Sequence, residues 1–123
     1  MIEKTIQLYT EKEEEFVNLL IRIGTRKSVA KTLMFLAKMK EATSRAIELG
    51  ADLRQPEVSV AMKYLAGKGW VKCHEVPAEN KGRPIKIWDL KVPVEKILDA
   101  ISREKQDELK TRMEAIRKVR SFV

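Results

Sequence analysis

The chain has 123 residues, 44% hydrophobic and 35% charged, enough apolar material for one modest core and too much for a disordered tail. Its strongest apolar run, residues 16–23, falls far short of the ~20 residues a membrane span needs, and a single cysteine, Cys73, excludes an internal disulfide framework. Lys and Arg number 25 against 18 Asp and Glu, a formal charge of +7.

The distribution of that charge says more than its size. Residues 1–24 hold three basic and five acidic groups, residues 25–91 fourteen and seven, and residues 92–123 eight and six. The excess is that of the middle segment, which predicts attraction to a polyanion, nucleic acid ahead of a membrane surface. The chain opens Met-Ile-Glu-Lys, without the basic, apolar and small-residue order of a secretory signal, so a cytoplasmic location is expected.

Thr10-Glu-Lys-Glu-Glu-Glu predicts a helix start, a hydroxyl at the N-cap and acids in the first turn. Phe16, Leu20 and Ile23 follow at i, i+4 and i+7, and Gly24 is a plausible stop. A second helix is predicted from about residue 26 or 28 to Lys40, with Val29, Leu33, Leu36 and Ala37 on one face. A short third helix follows, capped by Thr43, anchored by Ile47 and ended by Gly50. After a connection over 51–55, Pro56 suits the first turn of a fourth helix reaching about Gly67, whose Val58, Met62 and Leu65 face inward. The period then changes. Residues 69–76 and 85–90 read as strands joined by the turn formers of 77–84, a hairpin with a basic tip. From about Val94 onward the pattern is helical again. One stripe holds Val94, Ile97, Leu98 and Ile101, another Leu109, Met113 and Ile116, with polar residues 102–108 between; no regular heptad runs through.

Helix, short helix, tight turn, helix and basic-tipped hairpin make a winged helix-turn-helix: mainly α with a small β-hairpin, plus additional N- and C-terminal helices. A helix held outward by such a core fits the major groove, its first residues nearest the base edges, while the hairpin reaches the neighbouring backbone or minor groove. The segments divide as 1–24, 25–91 and 92–123: a packing or dimerisation helix, the DNA-binding domain and a dimerisation helix.

Three stretches carry a resemblance: Thr43-Ser-Arg-Ala-Ile-Glu-Leu-Gly, then Leu53-Arg-Gln-Pro-Glu-Val-Ser-Val-Ala-Met-Lys-Tyr-Leu, then Gly67-Lys-Gly-Trp-Val, with Lys81-Gly-Arg-Pro ahead of an alternating strand. Over about residues 28–91 the sequence resembles prokaryotic winged-helix transcriptional regulators of the MarR, ArsR and TrmB-like groups, particularly archaeal members. The resemblance implies a homodimer on a pseudo-palindromic operator in double-stranded DNA, with flanking helices making the dimer contact. Carried over by position, it implies a groove-facing surface of Arg54, Gln55, Pro56, Glu57, Ser59, Val60 and Lys63. Gln55 suits adenine, Glu57 a cytosine amine, and Arg54 and Lys63 guanine or phosphate. Lys81, Arg83 and Lys86 on the wing would neutralise phosphates, or Arg83 would enter the minor groove. Thr43, Ser44 and Arg45 would hold the backbone at a helix start.

Both terminal helices carry apolar stripes larger than a 65-residue core needs, so Phe16, Leu20, Ile23, Ile97, Ile101, Leu109, Met113 and Ile116 are expected at the dimer interface. No cofactor or metal is expected. Cys73 and His74 adjoin on a strand, where neighbours face opposite ways, and no catalytic grouping of Ser, His, Cys or acids exists. Two other possibilities stay open: a winged-helix protein-interaction module without specific DNA reading, and a small-molecule effector that releases the regulator from DNA.

Overall fold

The structure, a computed structural model, describes residues 10–78 and 82–123. In chain order these form α1 (Glu11–Arg22), α2 (Lys27–Met39), β1 (Glu41–Thr43), α3 (Ser44–Ala51), α4 (Gln55–Gly67), β2 (Val71–Val76), β3 (Ile85–Leu90) and α5 (Val94–Arg120). This is the helix-rich winged architecture that the period changes predict. Among the described residues no helix is long and apolar enough to cross a membrane.

Helix α1 starts on a reciprocal cap. Thr10 Oγ1 accepts from the Glu13 amide at 3.1 Å, and Glu13 Oε1 accepts from the Thr10 amide at 2.9 Å, satisfying two donors that an uncapped helix start leaves bare. The turn after α1 uses Gly24 at φ +106°, where a side chain would be strained. Helix α2 is the central pillar. Val29, Leu33 and Leu36 are buried as its period predicts, whereas Ala37 is only half-buried; Ala30, Thr32 and Phe35 are buried as well. The extra burial arises because α2 is covered from more than one side. Ala30 packs with Val17 and Leu20 of α1, and Phe35 belongs to the main core with residues of α3 and α4.

The chain leaves α2 through Lys40 at φ 69° and enters β1, a strand absent from the predicted elements. Three residues are too few to show a period, and their partner lies far along the chain. The sheet order is β1-β3-β2, both pairings antiparallel, with Trp88 on β3 facing Ala42 on one side and Cys73 on the other. The hairpin is thus a three-stranded sheet tied to the start of α3.

Thr43 caps α3, its Oγ1 accepting from the Ala46 amide at 3.0 Å. Gly50, predicted to end this helix, instead lies inside it and is buried; the turn is made by Asp52 in the left-handed region at φ 55°. Gly50 serves packing. A β-carbon there would stand 1.9 Å from Phe35 Cε1, so its absence lets α3 approach α2. Helix α4 begins as Arg54 N–H donates to Glu57 Oε1 at 2.8 Å, with Pro56 in the first turn, where no intrahelical donor is lost. Val58, Ala61, Met62 and Leu65 turn inward, each large side chain contributing about 1.5–3 kcal/mol of burial. Trp70 closes the core behind them, edge-on to Tyr64 at 6.1 Å between ring centres.

Helix α5 is continuous through residues 102–108 and is about 40 Å long at 1.5 Å per residue. Its root is part of the core. Ile97 is 0% and Ile101 3% exposed among residues of α2, α3 and α4, while Leu98 packs on α1. This corrects part of the interface expectation. Ile97 and Ile101, and Leu20 at 6% exposure, are committed to the protomer's own interior and leave little surface for a second copy. Phe16 is half-buried against the same cluster. Ile23, Leu109, Met113 and Ile116 remain exposed.

Candidate nucleic-acid interface

The alternation of buried and uncovered positions on α4 creates the site. With Val58, Ala61, Met62 and Leu65 turned inward, Gln55, Pro56, Glu57, Ser59, Val60 and Lys63 are left on the exposed side, and Arg54 is exposed at the cap. Between α4 and the sheet lies a shallow depression of about 390 Å³. Ser44, Gln55, Ser59, Lys63 and Lys86 surround it, and Val58, Met62 and Trp88 form its apolar lining. Three elements separated in sequence therefore bring the predicted polar residues Ser44, Gln55, Ser59, Lys63 and Lys86 to one concave surface.

The other predicted residues are distributed differently. Arg45 is exposed at the start of α3 and pairs with Glu48 at 3.1 Å. Thr43 spends its hydroxyl on the α3 cap. Ser44 accepts from the Trp88 indole N–H at 3.1 Å, so its side chain locks α3 to β3. Glu57 directs a carboxylate oxygen to the Arg54 amide and so acts at the start of its own helix, the stabilising position for an acid whatever the helix faces. Arg83 is exposed on the wing, and Lys81 lies outside the described residues.

Trp88 lines this depression although it is not among the residues expected at the surface; it is partly buried and packs against the main core. The missing signal was β1: without that strand there was no reason to place Trp88 between α3 and α4.

At its other end α4 is tied to α5. Lys68 Nζ stands 2.7 Å from Glu104 Oε2 and lies 5.6 Å and 5.9 Å from the ring centres of Tyr64 and Trp70. The hydrogen bond to Lys68 holds the Glu104 carboxyl below its ordinary range, and the bond to Glu104 raises the Lys68 ammonium. Cys73 and His74 are both exposed on β2, and among the described residues no group of three or more His, Cys, Asp or Glu is placed to hold a metal ion.

Neither a protein-family model nor a curated protein matches the sequence. Solved structures do match in fold. A possible transcriptional regulator from Methanosarcina mazei Go1 is 14% identical, with a TM-score of 0.57 over 81% of this chain and 85% of that one. The archaeal chromatin protein TrmBL2, described with a novel mode of DNA binding, is 16% identical with a TM-score of 0.62; the match covers 89% of this chain and 39% of that one. A MarR-family transcriptional regulator from Silicibacter pomeroyi is 13% identical with a TM-score of 0.53, over 89% and 78% of the two chains. The chain thus shares the winged helix-turn-helix fold of MarR-family and TrmB-like transcriptional regulators.

Proposed function

We propose that the protein is a sequence-specific double-stranded-DNA-binding transcriptional regulator that works as a homodimer. One observation carries this reading: the uncovered side of α4 carries Gln55, Ser59 and Lys63 beside a depression to which β3 contributes a further cation, Lys86. Gln55 and Ser59 are suited to base edges in the major groove, and Val60, 45% exposed, to a thymine methyl group. Arg54, Lys63, Lys86 and Arg45 are suited to the flanking phosphates, with Arg83 on the wing reaching the neighbouring backbone or minor groove. Glu57 and Thr43 shape the helix starts rather than read bases. A two-fold pair would set its α4 helices ~34–36 Å apart, one turn of duplex, and so would prefer a pseudo-palindromic operator. Occupying it would block or recruit the transcription machinery.

Most of the affinity would come from displaced counterions, so binding should fall steeply with salt while the preference among sequences persists. Selection of bound duplexes from a random pool at two salt concentrations tests this. Enrichment of paired half-sites about one turn apart is the expected result. Failure to retain any duplex even at low salt overturns the reading and favours the protein-interaction module.

A further inference from the structure

Helix α5 is fixed to the rest of the chain in two different ways along its length. At its root Ile97 and Ile101 are packed into the core. One turn further on, close packing gives way to a cleft of about 250 Å³ between the α1–α2 turn, Tyr64 of α4, and Ile101, Glu104 and Lys105 of α5. Two polar ties border it. Glu104 Oε2 meets Lys68 Nζ at 2.7 Å; Lys68 is the C-cap of α4 and lies against the rings of Tyr64 and Trp70. Lys105 Nζ donates to the Gly24 carbonyl at 3.4 Å and to Glu108 Oε1 at 3.5 Å.

Glu104 and Lys105 are consecutive, so their side chains leave the helix about 100° apart and reach different elements, the end of α4 and the turn before α2. A single tie would let α5 swing about it. Two in different directions fix both components of its tilt. That tilt has a long lever: residues 105–120 span about 22 Å, so a tilt of about 10° carries the far end about 4 Å, close to the ~3.4 Å rise of one base-pair step. The outer half carries the exposed Leu109, Met113 and Ile116 expected at the dimer contact. In a homodimer held there, the angle at residues 104–105 governs how far apart the two α4 helices stand.

We infer that Glu104 and Lys105 are positioning residues that fix the half-site spacing the homodimer reads, without touching DNA. This role rests on the proposed homodimer and its DNA reading. Glu104 and Lys68 are each over a third exposed, and such ties add little to stability, so their loss should free the angle without unfolding the chain. The test takes the half-site that the parent protein selects and sets two copies of it at a series of spacings around one helical turn. Glu104→Ala with Lys105→Ala should cut the preference for the best spacing over spacings one base pair longer or shorter by about three- to tenfold. Half-site sequence preference and helix content should stay as in the parent. Lys68→Arg, which keeps a cation for Glu104, should keep the parent's spacing. A second readout contains no DNA. With Cys73→Ser and a spin label on Ala66→Cys, an exposed position of α4, the distance between the two labels should be narrowly distributed, and broad once Glu104 and Lys105 are truncated. An unchanged spacing preference, equal distance widths, a sequence preference lost together with the spacing, or a Lys68→Arg protein as permissive as the double variant overturns the positioning role alone. A parent protein that is monomeric or retains no duplex sinks the proposed function, and this role with it.

Discussion

Helices α4 and α5 each bury one portion and leave another uncovered, but the uncovered portions are opposites. On α4 the outward positions include Gln55, Glu57, Ser59 and Lys63, beside Pro56, Val60, Tyr64 and Ala66; on the outer half of α5 they include Leu109, Met113, Ile116 and Val119. A face rich in donors and acceptors gains little from meeting an apolar surface, because its polar groups would lose water without replacement. An apolar stripe gains by leaving water and is indifferent to hydrogen-bond patterns. Under the proposed function, the contrast suits the two helices of one small chain to different partners: a polar, charged ligand for α4 and an apolar surface for α5.

The largest effect that tests this contrast comes from the portions both helices bury. Ile97→Ala, at the root of α5, should lower unfolding free energy by about 2–5 kcal/mol in a denaturant titration. Met113→Ala on the same helix should change the unfolding of the monomer by less than about 0.5 kcal/mol. Similar losses from the two would erase the distinction between root and outer half. Next in size is Gly50→Ala, which forces a methyl group into the Phe35 ring. A loss of about 1–3 kcal/mol is expected, and a neutral result would mean that α3 moves freely against α2.

Gln55→Ala sharpens the comparison from the other side. It should leave stability unchanged while a selected duplex loses about 1–3 kcal/mol of binding and random duplex much less; equal losses on both would remove Gln55 from base reading. The smallest effect belongs to the Lys68–Glu104 pair. Its two side chains are each over a third exposed, and such pairs contribute about 0–1 kcal/mol. Because Glu104 is lowered, its contribution is present above its unfolded value near 4.5 and lost as pH falls through the folded one. Because Lys68 is raised, its contribution is present below 10.5 and lost as pH rises through the folded value. Glu104→Gln should therefore cost the same small amount across neutral pH, and a difference that grows between pH 6 and 8 would point to another titrating group.

Much of this architecture is legible in short-range pattern. Thr10 with the acids after it marks the start of α1, the spacing of Val58, Met62 and Leu65 marks the inward side of α4, and the alternation over 85–90 marks β3. These signals survive because each depends on residues within two turns or a few strand positions. What escaped depends on distant partners. Strand β1 exists because Ala42 lies opposite Trp88, and Gly50 matters because Phe35, fifteen positions away, presses against it; a stop signal and a close contact both read as glycine. The commitment of Ile97 and Ile101 to the core was hidden for the same reason, since a periodic stripe reveals an apolar face without naming what covers it. On the candidate surface, the outward residues of α4 were legible as the complement of the inward ones. The gathering of Ser44 and Lys86 around them, and the capping duty of Glu57, required the fold.

The placement of the two indoles has a practical outcome. Trp70 is closed away beneath Tyr64 and Lys68, whereas Trp88 lies partly open in the depression beside Gln55 and Lys63, its N–H held by Ser44. Anything seated on that depression would strip water from one emitter and leave the other untouched. The protein thus carries its own optical gauge of occupancy, with a built-in reference, and a Trp88→Phe variant would silence the gauge.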